Sequence, residues 1–474
     1  MESTTNTKPG WRKLRRILAT CAVLATLIAL FYTEEDWRGK RDWENYKHAL
    51  EARGEILDWD ALIPPSVPDD QNVFGVPEMQ RWFIRGEDTP TNGLNGIVTN
   101  ADKIAIITTS AAAQKFLALS DQYQPVFDLI ERSLQRPDTQ MDGDYSIPYI
   151  IPIANFVNVR ATAQFLAQRT KCYLLLGQPD MALKQLTLLN DSRRIMERLP
   201  TGHPMTLVDA MINVAVTGLY ADTIAYGLQH HAWQEPQLAA LQAQLAAINL
   251  PPLVSTAFDD EKAADGKNLE ILSFSKMTSI SQNNAPKGFL QKLRHPEDIF
   301  YSLMPHGWLY QNMIVMVKAV GKGQDGFDLQ NKMISPKITD TAMRETEASI
   351  HHRSPFNLWA SIAVPNFSKA IQRLAFNQDE VNEAQIACAL ERFRLTNGIY
   401  PDSLDSLVPK YMDQLPHDII DGGSFIYRRT NDGKFLLYSI GWNERDDGGQ
   451  IVLANKQLQY RQVVETEGDW VWQN

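Results

Sequence analysis

The feature that most constrains how this chain can fold is an apolar run near its N-terminus, Ile17–Tyr32, which contains no charged residue and no proline. The run is slightly shorter than the roughly 20 residues that an α-helix needs to cross the hydrocarbon core of a bilayer. Leu14 and the aliphatic stems of Arg15 and Arg16 can lengthen it, because such stems lie along apolar surface while their charged groups stay in water. The run therefore predicts a transmembrane helix.

The charges on either side of the run predict its orientation. Cationic side chains precede it and acidic side chains follow it, and basic segments favour the cytoplasmic side of a membrane. The sequence therefore predicts a cytoplasmic basic segment at residues 1–16, a transmembrane anchor at 17–34 and the remainder of the chain outside the cytoplasm. In a bacterium, this is a single-pass inner-membrane protein whose bulk lies in the periplasm.

Two other interpretations of the run stay open. The apolar core of a cleaved signal peptide has a similar length, but cleavage needs small residues after it. This chain leaves the run through the bulky side chains of Leu30, Phe31 and Tyr32. A buried helix of a soluble protein is the third interpretation. The flanking charges and the bulky exit favour a retained anchor.

Composition limits the class of protein. A length of 474 residues suggests two or three domains, and 44% hydrophobic with 22% charged residues is typical of a packed globular protein. A formal charge of −10 argues against a nucleic-acid partner, which needs a basic face. Cys21, Cys172 and Cys388 are too widely spaced for a disulfide framework or a structural zinc site. Pairing of the last two stays open, although two buried thiols are the preferred interpretation.

The chain beyond the anchor is predicted to be mostly α-helical. Residues 35–70 are expected to form a juxtamembrane helix, with Trp43 and Leu50 on its apolar face, and then a proline-rich linker. Residues 71–355 are expected to form a mostly helical body. Within it, Lys103–Thr109 is compatible with a buried strand or with part of a helix, since periodicity cannot decide such a short apolar run.

One pair of helices in this body is well marked. Arg160–Leu176 is expected to form a helix that Gly177 ends, and Pro179 stands where the next helix, continuing through Met181–Met196, should begin. The pair resembles a single tetratricopeptide-like helix-turn-helix unit. No repeat at a fixed period accompanies it, and an array needs at least about three copies. Further helices are expected at Met205–His230 and Glu235–Ile248.

The C-terminal part is predicted to contain a long helix followed by a β-hairpin. Apolar residues recur at helical spacing from Pro365 to Asn397, and Gly398 supplies a left-handed stop. Two runs of strand-forming residues, 424–429 and 434–440, flank a turn at Asn431–Gly433. Asparagine and glycine accept the positive φ that such hairpin turns need.

This order of elements resembles the globular domain of the major pseudopilins of type II secretion, which has the G-type pilin fold. The most specific matching segments are Ala387–Arg394, Asn397–Pro401, Leu415–Asp418 and Tyr438–Gly441. The resemblance implies a pilin-like α+β module at residues 365–460. The N-terminal stretch and the architecture also resemble large membrane-anchored proteins of planctomycete and verrucomicrobial type.

In pseudopilins the loop after this position binds calcium, so the resemblance implies a calcium site at Asn443, Asp446 and Asp447. Calcium takes six to eight oxygen ligands, which two carboxylates, an amide and backbone carbonyls could supply. The loop here is shorter than in that family, and Asn443 is neutral where the family has an acid. An acidic surface turn that binds no metal is the alternative.

The N-terminal region departs from the pilin pattern. Pilins carry a glutamate five positions into the apolar helix that follows their processing site, whereas Arg15 stands at the equivalent position after Gly10-Trp11. The anchor and the C-terminal module are also far apart in this sequence. We therefore do not expect the chain to be processed, or to polymerise, as a pilin.

The sequence contains no recognisable catalytic motif, since Gly-x-Ser-x-Gly, phosphate-loop and dinucleotide-binding patterns are missing. Glu347 and His351 share one face of a predicted helix but lack a third metal ligand. His230 and His231 end an apolar helix, where cationic side chains suit the helix dipole. His306 lies in an aromatic segment. Structural roles are the preferred interpretation for all of these residues.

The expected function is therefore binding or scaffolding in the cell envelope, with protein partners and a relation to secretion that the pseudopilin resemblance implies. The alternative is an envelope hydrolase that acts on a polysaccharide. Its carboxylate site would lie in the aromatic-rich region 251–355, and such carboxylates leave no local signature in a sequence.

Overall fold

The structure, a computed structural model, describes residues 9–86, 94–101, 107–197, 205–271, 303–363, 367–453 and 463–472. These residues are mostly helical, with a small antiparallel sheet region near the C-terminus. The chain forms two compact units. Unit 1 comprises Met1–Leu57, Ala263–Ala319 and Ala348–Pro365, and unit 2 comprises Asp58–Lys262, Val320–Glu347 and Asn366–Asn474. The predicted segments follow chain order, whereas these units interleave along the sequence.

The helices of the described residues are α1 (Pro9–Glu51), α2 (Pro77–Phe83), α3 (Asn95–Ala101), α4 (Ser110–Ser120), α5 (Gln124–Ser133), α6 (Phe156–Leu175), α7 (Pro179–Arg193), α8 (Leu207–Gln229), α9 (Glu235–Ala246), α10 (Leu250–Ile271), α11 (Gly307–Gln324), α12 (Pro336–Ile350), α13 (Ala360–Ala363) and α14 (Phe367–Asn397). The strands are β1 (Phe327–Asp328), β2 (Met333–Ile334), β3 (Ile426–Arg429), β4 (Phe435–Ser439), β5 (Ile451–Leu453), β6 (Val463–Gly468) and β7 (Trp470–Val471).

Helix α1 of unit 1 runs unbroken through both the predicted anchor and the predicted juxtamembrane helix. The described side chains of its first half, from Trp11 to Phe31, are exposed. Its second half is amphipathic, because Trp43 and Leu50 are buried in an apolar cluster with side chains of α11 such as Met313. One continuous helix thus combines a bare apolar segment with a packed segment.

A close approach of two backbones joins α1 to the start of α11. A Cβ atom placed on Gly39 would lie 2.2 Å from the carbonyl oxygen of Gly307. Two acids of α1 bind the same junction: Glu35 Oε2 accepts a hydrogen bond from Trp308 Nε1 at 2.7 Å, and Asp36 Oδ1 accepts one from the Gly307 N–H at 2.7 Å. Glycine is needed at both positions because any side chain would separate the helices.

Three helical stretches of the described residues are long and apolar enough to cross a membrane: Lys13–Glu51, Leu207–Gln229 and Glu235–Asn268. The buried share of the most apolar window is 0% in the first stretch, 67% in the second and 50% in the third. The first stretch therefore presents its apolar surface to the surroundings, whereas the other two use much of theirs in packing.

In unit 2, α6 and α7 form the expected helix pair. Gly177, with φ of +68°, ends the first helix in the left-handed conformation, and Pro179 is the first residue of the second. The two helices pack on each other and on α8. Their apolar side chains belong to the main core of unit 2.

Helix α14 is the longest helix of unit 2 and packs against α8 and α9. It ends at Asn397, as predicted, and its described part begins at Phe367, whereas the predicted start at Pro365 lies outside the described residues. Gly398 follows with φ of +81°, and its N–H donates to the carbonyl of Arg394 at 2.8 Å. The central part of its apolar stripe, from Ile371 through Val381 and Ala384 to Cys388, is fully buried, whereas Leu395 in the last turn is exposed.

The predicted hairpin is also present. Strands β3 and β4 are antiparallel, with Ile426 opposite Tyr438, and the intervening turn contains Gly433 at φ of +82°. Strand β7 pairs with the other edge of β4, while β5 pairs with β6. The Trp472 N–H continues this edge by donating to the carbonyl of Leu437 at 2.9 Å. The C-terminal segment thus completes a three-stranded sheet.

The prediction that two cysteines are buried free thiols is confirmed, and one predicted segment lies mostly outside the described residues. Cys172 and Cys388 are both buried free thiols. Most of Lys103–Thr109, the segment compatible with a strand or a helix, lies outside the described residues.

Candidate functional site

A pocket of about 660 Å³ in unit 2 lies between α8, α14 and the C-terminal strands. It is lined by Ala215, Gly218, Leu219, Asp222 and Ala225 of α8, by Arg373, Phe376, Asn377, Glu380 and Glu383 of α14, and by Val463, Trp470, Val471 and Trp472. Residues three or four positions apart share one face of a helix, so each helix contributes one face to this site. We call it the acidic pocket.

Small residues of α8 let the two helices approach at the floor of the pocket. A Cβ atom on Gly218 would lie 2.7 Å from Oδ1 of Asn377. The side-chain amide of Asn377 donates to the carbonyl of Val214 at 3.0 Å, so it joins α14 to the backbone of α8. The floor is therefore held by packing and by a buried hydrogen bond.

Aromatic side chains form one wall of the pocket. Trp470 is 1% exposed, and its ring meets that of Phe376 edge-on at a centroid distance of 5.5 Å. Trp470 Nε1 donates to the carbonyl of Glu465 at 3.0 Å. Trp472 is also buried, but its Nε1 has no hydrogen-bond partner within the described part of the chain. The wall thus offers a ligand apolar ring surface and one N–H donor, Nε1 of Trp472.

Among the carboxyl groups that line the acidic pocket, Glu380 has the pKa that best suits proton transfer. Its side chain lies in the protein wall of the pocket, and the resulting desolvation, together with repulsion from Asp222 and Glu465, raises the pKa of Glu380 to about 8. Arg373 opposes this rise but is itself engaged by Glu465, at 2.7 Å. A carboxyl with a pKa near neutrality can donate or accept a proton at physiological pH.

Glu383 lines the same pocket one helical turn further on. It is only 2% exposed, and its Oε1 atom has no hydrogen-bond partner among the residues that the structure describes. Burial, and then repulsion from Asp379, Glu380 and Asp418, raises the pKa of Glu383 well above its ordinary value, although a backbone hydrogen bond from Ser439 opposes this rise. Burial of a polar atom without a hydrogen bond is costly, which makes Oε1 of Glu383 an atom that a ligand could satisfy.

Two further acids lie behind Glu383. Asp379 and Asp418 face each other and the Ser439 hydroxyl, and burial first, then the charge of Asp418, raises the pKa of Asp379 well above its ordinary value. Backbone N–H groups bind this pair: Ile419 donates to Asp379 Oδ1 at 3.0 Å, and Ile420 donates to Asp418 Oδ1 at 2.8 Å. The pair therefore fixes the loop after α14, and the charge of Asp418 opposes ionisation of Asp379.

The arrangement supports recognition of a polar, uncharged ligand with an apolar face. Protonated carboxyls donate and accept hydrogen bonds, and aromatic rings supply the apolar surface. Asp222, at the α8 side, is paired with Lys171 at 3.2 Å. The pocket thus provides a carboxylic acid, a second acid on the facing helix and an aromatic wall.

A larger groove in unit 2, of about 1230 Å³, is lined by many amide side chains. Its central amides already have protein partners: Gln242 donates to the carbonyl of Tyr411 at 2.9 Å, and Gln378 Oε1 accepts from the Leu250 N–H at 2.8 Å. Because these groups stabilise the fold, the acidic pocket is the better candidate for a ligand site.

The loop predicted to bind calcium is organised around a residue outside it, Asp469. This buried carboxylate accepts hydrogen bonds from the backbone N–H groups of Asp447 (3.1 Å), Gly449 (2.6 Å) and Gln450 (3.3 Å). Asp469 directly precedes Trp470, so the same interaction positions the aromatic wall of the acidic pocket. The loop therefore supports the pocket.

The three predicted calcium ligands are engaged within the loop. Asn443 Nδ2 donates to Asp447 Oδ2 at 2.8 Å, while Asp446 Oδ1 accepts from the Tyr438 hydroxyl at 2.9 Å and from the Gly448 N–H at 2.9 Å. A calcium ion would have to displace these hydrogen bonds. Internal hydrogen bonds account for the loop conformation, and calcium binding stays a prediction.

The histidines and acids considered in the sequence lie elsewhere. His230 Nδ1 lies 2.8 Å from the carbonyl of Tyr226, as expected for a residue that ends α8. His231 instead contacts Glu391 of α14, at 3.0 Å. Glu347 and His351 are exposed. Among the residues that the structure describes, no group of three or more histidine, cysteine, aspartate or glutamate side chains could hold a metal ion.

Sequence reasoning did not identify the residues of the acidic pocket, which lie outside region 251–355. One signal was present. Asp379 and Glu383 interrupt the apolar stripe of α14 and lie beside Val381 and Ala384, where a solvated acid is not expected. The other residues that line the pocket come from distant parts of the chain, so the local sequence pattern could not predict the pocket itself.

Comparisons with protein-family models, with curated proteins and with solved structures gave no match to this chain.

Proposed function

We propose that this chain is a single-pass, membrane-anchored protein of the cell envelope that binds a ligand or partner outside the cytoplasm. The observation that carries the proposal is the first half of α1, whose apolar side chains are exposed over a length that suits a bilayer. The cations before this segment favour a cytoplasmic N-terminus. The chain that follows the segment would then lie on the other side.

The C-terminal part gives this role a second line of support. The succession of α14, a left-handed stop at Gly398 and the β3–β4 hairpin is the order on which the pseudopilin resemblance rests. A pilin-like module and a tetratricopeptide-like α6–α7 pair would both serve as surfaces for protein partners, including a secretion-related assembly. Crosslinking in intact cells, followed by solubilisation in mild detergent, should recover such partners with the full chain.

We propose that the acidic pocket is the ligand-binding site and that its ligand is an oligosaccharide. Sugar rings have an apolar face that packs on aromatic side chains and hydroxyls that pair with acids such as Glu380 and Glu383. Calorimetric titration of the purified full chain with N-acetylglucosamine oligomers should detect binding. Glu380→Gln should weaken it by up to about tenfold, the effect of losing one hydrogen bond to the protonated carboxyl. Asp413→Asn, an exposed acid outside the pocket, should leave the affinity unchanged.

Hydrolysis of the same ligand is the second candidate function, and the pKa of Glu380 favours it. General-acid catalysis needs a carboxylic acid that is protonated near the working pH, and a second carboxylate across the site. Glu380 and Asp222 face the pocket from α14 and α8. Release of reducing ends by the wild-type chain, and its loss in both Glu380→Gln and Asp222→Asn, would establish catalysis. Saturable binding without release would establish the binding role alone.

A further inference from the structure

A patch of apolar side chains surrounds the point where α1 enters unit 1. Phe31, Leu303 and Phe356 are 47%, 62% and 39% exposed. Trp308 connects them, with its ring edge-on to Phe31 at 6.4 Å and to Phe356 at 5.2 Å between centroids. Next to Phe31, the hydroxyl of Tyr32 donates to the carbonyl of Leu303. We call Phe31, Leu303, Trp308 and Phe356 the collar.

The collar lies at the end of the bare segment of α1. The uncharged run from Ile17 to Tyr32, lengthened by Leu14 and the stems of Arg15 and Arg16, is about 27 Å long at 1.5 Å per residue, which approaches the roughly 30 Å thickness of a hydrocarbon core. If α1 crosses a bilayer with this stretch, Phe31 lies at the boundary between acyl chains and headgroups. Leu303 and Trp308 lie at the same level, because they contact α1 at residues 31 to 35.

The polar groups next to the collar are compatible with this boundary. Glu35 accepts hydrogen bonds from Arg38, at 2.6 and 2.8 Å, and from Trp308, so its charge is neutralised locally. Trp37 is 60% exposed, and the guanidinium of Arg41 lies 5.2 Å from its ring centroid. Exposed tryptophan together with basic side chains is typical of residues at a membrane–water interface.

We infer that the collar is a second membrane contact, in which Leu303, Trp308 and Phe356 enter the headgroup layer of the bilayer that α1 crosses. The inference rests on the proposed membrane anchorage and goes beyond it. Its occupant is lipid, because the patch continues the apolar surface of the anchor without interruption. Apolar side chains that enter this layer add to binding in proportion to their buried area. The collar would hold unit 1 against the membrane surface.

Depth-dependent quenching tests the collar and the anchor separately. The full chain is reconstituted in vesicles that contain lipids with nitroxide groups either near the headgroup or deep in the acyl chain. An environment-sensitive fluorophore is attached to the native Cys21, which is exposed on α1, or to Leu303→Cys or Phe356→Cys in a Cys21→Ser background. His48→Cys, on the same helix about 24 Å beyond Tyr32, is the matched control. Buried Cys172 and Cys388 are protected from labelling.

We expect the probe on Cys21 to be quenched mainly by the deep nitroxide. The probes at positions 303 and 356 should be quenched by the shallow nitroxide at least about threefold more than the probe at position 48. Equal quenching at 303, 356 and 48, with Cys21 still quenched, would overturn the collar and leave the anchor intact. A probe at 303 that is shielded from water but not quenched by lipid would indicate a protein covering and would also overturn the inference. Lack of quenching at Cys21 would refute the proposed anchorage itself.

Discussion

At the scale of single residues, the carboxyls of Asp379, Glu383 and Asp418 determine how stability depends on pH. Burial raises the pKa of each of them above its ordinary value. Between the ordinary value of about 4 and the raised values, the folded protein binds more protons than the unfolded chain. The free energy of unfolding therefore falls as the pH rises through this window, and it is greatest at mildly acidic pH.

The variant Asp379→Asn should reduce this pH dependence. Asparagine cannot ionise, so the raised pKa of Asp379 no longer contributes to the pH dependence of folding. Between pH 5 and pH 8 the free energy of unfolding should fall less in this variant than in the wild type. We expect the difference to be about 1.4 kcal/mol for each unit by which the pKa of Asp379 is raised. Thermal unfolding of the full chain in detergent across this pH range measures it. Asp413→Asn should retain the wild-type slope, and an unchanged slope in Asp379→Asn would contradict the raised pKa of Asp379.

A second residue-scale prediction concerns Asp469 and the loop that it binds. Asp469→Asn removes a charge that accepts three backbone N–H groups, and hydrogen bonds to a charged group each stabilise by about 1.5–3 kcal/mol. Hydrogen exchange of Asp447, Gly449 and Gln450 should accelerate strongly. Asp446→Asn should have a much smaller effect on these amides. If added calcium slows their exchange in the wild-type chain and not in Asp446→Asn, the predicted ion site is real.

At the scale of elements, the contact between α1 and α11 reverses the usual effect of a glycine substitution. Alanine in a helix is normally favoured over glycine by about 1 kcal/mol. A methyl group at Gly39 would instead meet the Gly307 carbonyl, since the built Cβ lies 2.2 Å from that oxygen. Gly39→Ala should therefore lower the unfolding temperature. Gly321→Ala, whose Cβ would lie 3.8 Å from the nearest atom, should maintain or raise it. Stabilisation by Gly39→Ala would argue against the close approach.

Local sequence signals predicted the elements well, because they depend on neighbouring residues. Gly177 and Gly398 mark helix ends in the sequence and adopt positive φ in the structure. The predicted hairpin likewise follows from its own turn residues. Asp469 could not be predicted, since a lone aspartate between glycine and tryptophan carries no local sign that it will accept N–H groups about twenty positions earlier. The acidic pocket was missed for the same reason: its walls come from three distant segments.

At the scale of the whole molecule, the proposed membrane insertion depends on the apolar segment of α1. Arginine at the centre of a membrane-spanning helix costs about 2.5–3.5 kcal/mol on insertion scales. Leu24→Arg should therefore shift a substantial part of the protein from the carbonate-resistant membrane fraction to the soluble or aggregated fraction. Val208→Arg, at an exposed position of α8, should leave the distribution unchanged. Full carbonate resistance of a Leu24→Arg, Leu27→Arg double variant would contradict a spanning role for this segment.

The unbroken course of α1 has a mechanical consequence for such a protein. A helix without proline or glycine between Leu14 and Trp37 transmits rotation and tilt as a stiff rod, and no flexible tether intervenes before the side chain of Trp43 is packed in unit 1. That packed site lies about 17 Å beyond Tyr32 along the helix. A change of bilayer thickness or curvature that tilts or rotates α1 would then act directly on the side chains of unit 1 that pack against it.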